Sequence, residues 1–379
     1  MKHYYWEGTD THGVLHEGAL DSETLSVARE NLLRRGFFRL CCWKIQHSRL
    51  HRVLSNHEIT EILLQLHRLL KSGVELDDAL GFAVHEQEDR FLSFLLCRMR
   101  EDLRNGLSLS NALQRYHAFP KLVGKMIEVA ESSGRLSEVL GMLLEFYQFQ
   151  QSIIQEQKRL LNYPLVVFSI FIVLSLGSII FMVPMFKRMY IGLGDELFWL
   201  TRMLLNLSDS LRIHPENWIL GSLICGALLV AIYRTLGFSW LLNLIPGGKR
   251  LRESVRMLFY SRGMEIMLST GVHLQEALAL AEEMLPRLLR KRIAPVRKAV
   301  DSGKSLREAY SMVSIFSPMF VKMIALGESS GHLSSSFARI GTQNQESLKK
   351  IMAWANTLIE PILMILIAFG VLGFLLSMY

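Results

Sequence analysis

Lys322-Met-Ile-Ala-Leu-Gly-Glu-Ser-Ser-Gly-His-Leu333 decides how this chain is read, because Lys125-Met-Ile-Glu-Val-Ala-Glu-Ser-Ser-Gly-Arg-Leu136 says nearly the same thing earlier. Working outward, Ser72-Gly73-Val74 with Leu76 and Ala79-Leu80 is echoed by Thr270-Gly271-Val272 with Leu274 and Ala277-Leu278. Gly106, Leu109 and Ala112 reappear as Gly303, Leu306 and Ala309, and Pro164 and Pro361 each stand just before an apolar run. An ordered set of matches at nearly the same offset is the signature of an internal repeat. The chain therefore reads as a duplicated module, each copy a helical head followed by a membrane helix.

Composition supports the membrane part. Half of the 379 residues are hydrophobic, and the mean hydropathy is +0.24. The excess is concentrated. Residues 165–186 carry no charge and are long enough for a hydrocarbon core of ~30 Å. Residues 361–378 are equally free of charge. Between them, Trp218–Tyr233 and Phe238–Ile245 flank Arg234, and a second span is expected over 218–236. The N-terminal residues lack an apolar core with a small-residue cleavage site, so no signal peptide is expected. Cys41, Cys42, Cys97 and Cys225 show no C-x-x-C spacing, which suggests neither a disulfide framework nor a zinc site.

The net charge of +7 is placed beside the apolar runs, at Lys158, Arg159, Lys249, Arg250, Arg252, Lys349 and Lys350. Excess Lys and Arg marks the cytoplasmic side, which puts both heads and the N-terminus inside. Lys187 and Arg188 run against that rule. Basic residues beside spans also meet anionic lipid, so nucleic-acid binding is not needed to explain them.

Taken in order, the expected divisions are a small N-terminal β/α unit and linker (1–54), a first helical bundle (55–164), a span (165–186) and a periplasmic loop (187–217). A second span (218–236), a second bundle (251–360) and a third span (361–378) follow. In the first unit, Tyr4–Glu7 and Val14–Glu17 flank a turn-rich stretch and read as a hairpin, followed by a helix stopping at Gly36. In the first bundle, Ile62, Leu63, Leu66, Leu69 and Leu70 form a one-sided apolar stripe. Gly73 and Gly134 end helices because glycine accepts the left-handed conformation found there. Gly271 and Gly331 are their counterparts. Ser305 with Glu308 reads as a capping box. About six short helices per copy are expected, packed as an antiparallel bundle.

The repeated Glu-Ser-Ser-Gly element, the two Gly-Val-x-Leu-x-x-Ala-Leu segments and the Pro-led spans resemble the inner-membrane platform proteins of type II secretion systems (protein F) and type IV pilus assembly (protein C). Asn162-Tyr163-Pro164 and Ile359-Glu360-Pro361 look like that family's motifs where the chain enters the membrane. The resemblance covers essentially the whole chain. It implies a multi-pass protein of the bacterial inner membrane that contacts a cytoplasmic assembly ATPase, pilin or pseudopilin, and other machine subunits. It also implies coupling of that ATPase to filament growth. Self-association is expected separately, because each bundle is small and duplicated. Two departures are Ala130, where the second copy has Gly327, and Arg39-Leu40-Cys41-Cys42 after Gly36, where a simpler proline-containing turn is expected.

Several motifs invite sharper readings. Gly327-Glu-Ser329-Ser-Gly331 matches the G-x-S-x-G nucleophile elbow, but that elbow needs a preceding strand and the approach here is helical. Gly303-Lys304-Ser305 resembles the end of a P-loop, yet Lys298 stands where its first glycine belongs. The i, i+4 pairs His12/His16 and His47/His51 lack the partners of a zinc motif. No catalytic, cofactor or metal residue is therefore expected. Glu131 and Glu328 are read as either local caps or the organisers of a docking turn. Glu360 stands out because a carboxylate at a membrane boundary is costly unless paired. The rival classes are a small transporter, whose ion path the spans do not mark, and a membrane-bound hydrolase using Ser329.

Overall fold

The computed structural model describes residues 2–45, 52–190 and 248–376, with positions 206, 209, 210, 213 and 216, and only some side chains in the distal parts of the two longest helices. The described residues are mainly helical, with one small sheet among them at the N-terminus. There β1 (Lys2–Thr9), β2 (Leu15–Ser22) and β3 (Phe38–Ile45) are antiparallel in the order β2-β1-β3, and α1 (Leu25–Arg34) lies between β2 and β3 in sequence. Trp6, Leu32 and Leu40 form its core. Gly18 permits this packing, since a Cβ there would meet the Trp6 indole at about 2.9 Å.

β3 corrects the sequence reading, which expects a turn after Gly36 and no third strand. Its alternation is broken by adjacent Cys41 and Cys42, it pairs only with β1, and its register shifts between Glu7 and Thr9. Arg39, at φ 50°, takes the left-handed conformation beside that irregularity. A bulged edge strand of this kind carries a weak period-2 signal. His47 and His51 lie outside the described residues.

Two sets of six helices follow among the described elements. The first is α2 (Asn56–Lys71), α3 (Leu76–His85), α4 (Arg90–Arg104), α5 (Leu109–Tyr116), α6 (Lys121–Ser133) and α7 (Leu136–Tyr190). The second is α8 (Gly248–Thr270), α9 (Leu274–Glu283), α10 (Arg287–Asp301), α11 (Leu306–Ser311), α12 (Pro318–Ser330) and α13 (Leu333–Leu376). Their boundaries follow from local chemistry. Ser55 and Glu58 close a reciprocal capping box at the start of α2, satisfying two amides that have no partner in the helix. At the other ends, Gly73, Gly106 and Gly134 have φ of 88°, 86° and 69°, and Gly271, Gly303 and Gly331 have 95°, 83° and 73°. An L-residue in that region costs roughly 1–2 kcal/mol, so glycine fixes each stop in both copies.

The chain separates into two compact units. Met1–Ser152 with Leu258–Thr342 holds the sheet and both helical heads; Ile153–Met257 with Gln343–Tyr379 is the second. Within the first unit the sheet is fastened to the first head by Arg98 to Asp21 (2.5 Å), His85 to Glu17 (3.1 Å) and Arg90 over the Trp43 ring (4.2 Å). Ile59, Ile62, Leu63 and Leu66 of α2 are buried, as are Leu80, Phe91, Leu95, Leu113, Met126 and Leu143, while Leu69 and Leu70 of the expected stripe are half-buried. Each of the buried side chains stabilises by about 1.5–3 kcal/mol.

The two cores differ in polar content. Asp102, 6% exposed, accepts hydrogen bonds from Arg115 (2.7 Å) and the Tyr116 hydroxyl (2.7 Å). The second head has Ala299, Met312 and Val313 at those positions. Conversely, the buried hydroxyls of Tyr260 and Tyr310 bond each other at 2.8 Å, where the first head has Ile62 and Leu113.

In the second unit the helical backbone of α7 and α13 continues through Pro164 and Pro361. The expected spans 165–186 and 361–378 fall on these stretches as far as residue 376. The span 218–236 and most of the loop 187–217 lie outside the described residues. Among the described residues, no helix is both long and apolar enough to cross a membrane.

Candidate functional site

The repeated turn that organises the sequence is the same object in both heads. In the first, α6 ends at Gly134 and α7 begins two residues later; in the second, α12 ends at Gly331 and α13 begins likewise. Glu131 and Glu328 sit on the last turn of the incoming helix. Their carboxylates do not face solvent alone. Leu109 and Ser110 donate their backbone N–H groups to Glu131 Oε1 and Oε2 at 2.6 and 3.2 Å. Leu306 and Arg307 donate theirs to Glu328 Oε1 and Oε2 at 2.7 and 3.2 Å.

Each acid therefore caps a neighbouring short helix, α5 or α11, across the bundle. The N-terminus of a helix carries unpaired amides and a partial positive charge, and a carboxylate satisfies both. In the first head the Ser110 hydroxyl adds a third bond to Glu131 at 2.6 Å. Ser108 and Ser305 complete the caps, each accepting the amide three residues on. The geometry thus gives Glu131 and Glu328 a local structural role. The serines that follow, Ser132, Ser133, Ser329 and Ser330, are exposed at the surface of the turn.

The competing motifs resolve into the same helix-end chemistry. Ser329, the second-copy elbow serine, donates its hydroxyl back to the Leu326 carbonyl at 3.0 Å. Ser305 of the P-loop-like triplet is the cap of α11. His16 contacts Asp10 at 3.0 Å while His12 engages Asp10 through its backbone N–H. Among the described residues, no group of three or more His, Cys, Asp or Glu side chains is placed to hold a metal ion.

The remaining singled-out residues do not converge on this turn. Gly73 and Gly271 close α2 and α8. Pro361 lies inside α13, exposed. The side chains of Asn162, Tyr163, Pro164 and Glu360 lie outside the described residues. What sequence reading missed is the partner of the acids. Glu131 to Leu109 and Glu328 to Leu306 each span 22 residues, and only the shared offset between the copies pointed to the pairing.

The fold and these turns define a class: a tandem helical module in which each copy locks its last turn onto its own short helix. The family described as "Type II secretion system (T2SS), protein F" matches residues 62–184 and again 260–379, once for each copy. The chain belongs to that family. It is 25% identical over 387 residues to the type 4 fimbrial assembly protein PilC of Pseudomonas putida, covering 99% of this chain and 96% of that one. To the type II secretion system protein F of Pseudomonas aeruginosa it is 28% identical over 345 residues, covering 86% and 82%. To the HofC homolog of Haemophilus influenzae, a protein transport protein, it is 24% identical over 401 residues, covering 100% and 97%.

Proposed function

We propose that this chain is the inner-membrane platform of a type II secretion or type IV pilus machine, with both heads cytoplasmic and spans at 165–186, 218–236 and 361–378. It couples a cytoplasmic assembly ATPase to the addition of pilin or pseudopilin subunits, and does no chemistry of its own. One observation carries the reading: α7 and α13 each start at the acid-capped turn and continue without a break past a proline. Beyond it, α7 exposes Val166, Ile170, Val173, Leu174, Phe181 and Met185, and α13 exposes Met364, Ile365, Phe369 and Leu372. Apolar rows this long need a non-aqueous cover, and lipid supplies it. A helix that is continuous from turn to lipid transmits a displacement at one end to the other.

The exposed serines of the two turns are the proposed ATPase contact. A photo-crosslinking residue at Ser132 or Ser329, in cells making the whole machine, is expected to trap the ATPase. A flexible Gly/Ser insertion before Pro164 is expected to leave that crosslink and abolish filament growth. Growth with the insertion, or no crosslink from intact membrane-inserted protein, removes the coupling. Alkaline-phosphatase fusions within 187–217 test the topology separately and are expected to be active.

A further inference from the structure

The two heads meet through different faces. Lys125 on α6 of the first head pairs with Glu276 on α9 of the second at 2.9 Å, and Lys121 pairs with Glu283 at 2.8 Å. The cleft there is lined by Leu113, His117, Phe119 and Gly124 from the first head and Leu280 from the second. An α6 face against an α9 face is a heterologous contact. Because the heads are copies, each still owns the face that its sibling uses.

Those two leftover faces are largely exposed, although His85 at the end of α3 contacts Glu17 of the sheet at 3.1 Å. On α3 of the first head, Asp78 stands at the position of Glu276 and Phe82 at that of Leu280. The Asp78 side chain is 63% exposed, with Arg100 no nearer than 3.8 Å, and Phe82 is 57% exposed. On the second head, Lys322 of α12 stands at the position of Lys125 and is exposed, beside exposed Ser314 and Pro318. We propose that the α12 face of one chain docks on the α3 face of a second copy of the same chain, with Lys322 against Asp78 and Phe82 covered by the contact.

Charge complementarity and the internal precedent name the occupant. The contact between chains is weaker than the one within a chain, because Pro318 replaces Lys121, His85 replaces Glu283 and Val321 fills the space of Gly124. It is also directional: each chain offers one α3 face and one α12 face, so copies add head to tail. None of this depends on the platform reading.

The test uses full-length protein in membranes, with Cys41, Cys42 and Cys225 replaced by serine and two differently tagged copies co-expressed. One copy carries Asp78→Cys and the other Lys322→Cys. Oxidation is expected to give a product bearing both tags, at least tenfold above either variant alone. Lys125→Cys with Glu276→Cys in one chain is the control and is expected to crosslink internally. A control crosslink without the two-tag product overturns the proposal, as does preferential crosslinking of Asp78→Cys copies to each other. Loss of the control crosslink overturns it too, since the internal contact is its template. In the other arm, Asp78→Lys or Lys322→Asp alone is expected to lower co-purification of the two tags about tenfold, and both changes in every copy to restore it; no rescue counts against the ion pair.

Discussion

The Tyr260 and Tyr310 hydroxyls show how one atom sets the tolerance of a core. Both rings are fully enclosed, and burial pushes the Tyr310 phenol well above its ordinary range and Tyr260 likewise upward. Removing one hydroxyl leaves the other buried without its partner, at a cost of about 1–3 kcal/mol. Tyr310→Phe is therefore expected to destabilise the second head, while Tyr260→Phe with Tyr310→Phe together is expected to be milder than either alone. Hydrogen exchange in α8 and α11 of the detergent-solubilised protein checks this; an additive double variant would contradict it. Asp77 offers a second residue-scale test. Hydrogen bonds from Arg104 and then Arg100, outweighing partial burial, hold its carboxyl down at about 2. A depressed carboxylate contributes stability above its ordinary value and loses it as pH falls through about 2. The side chain is 34% exposed, so solvent screening limits the effect to roughly 1 kcal/mol or less. Asp77→Asn is expected to weaken protection of α3 and α4 at pH 7 and to approach the parent protein only as pH falls below about 2.

Among elements, the short helices α5 and α11 depend most on something outside themselves. Isolated helices of this length are marginal in water, and each has its first two amides tied to a carboxylate on the next helix. Glu328→Gln keeps one acceptor oxygen and loses the charge, so α11 is expected to lose about 1–2 kcal/mol. Exchange at Leu306 and Arg307 should rise most, with α5 unaffected; Glu131→Gln should do the reverse. Equal loosening of both helices from either variant would show that the heads are not separable. Helix ends were legible in the sequence because glycine at φ near 70–95° and serine at a cap leave unambiguous marks. The acid–amide pairs were not, since the backbone N–H groups that Glu131 and Glu328 receive belong to no particular side chain. β3 was hidden for a related reason. A bulged edge strand with two adjacent cysteines shows no clean alternation.

At the scale of the molecule, duplication was the most legible feature, because matched glycines and prolines survive where the cores have diverged. The Asp102 cluster and the tyrosine pair occupy opposite heads and leave no trace in a repeat search. The contact between heads was equally invisible: Lys125 and Glu276 look like surface charges until the chain folds. One local difference gives the repeat a direction. In the second head Gly327 packs so closely that an added Cβ would collide with the Ser336 side chain. The first head has Ala130 there, fully buried, and Val139 at the position of Ser336. Swapping the Glu-Ser-Ser-Gly segments with their leading residue is thus a one-way transplant. Glycine from the second copy should settle into the first as a small void, at about 1 kcal/mol. Alanine from the first should be rejected by the second unless Ser336 is exchanged with it. Thermal unfolding of the two chimeras should differ accordingly. Two turns spelled almost identically are not interchangeable parts, and once their neighbours have been tailored to them neither half of the chain can serve as a spare for the other.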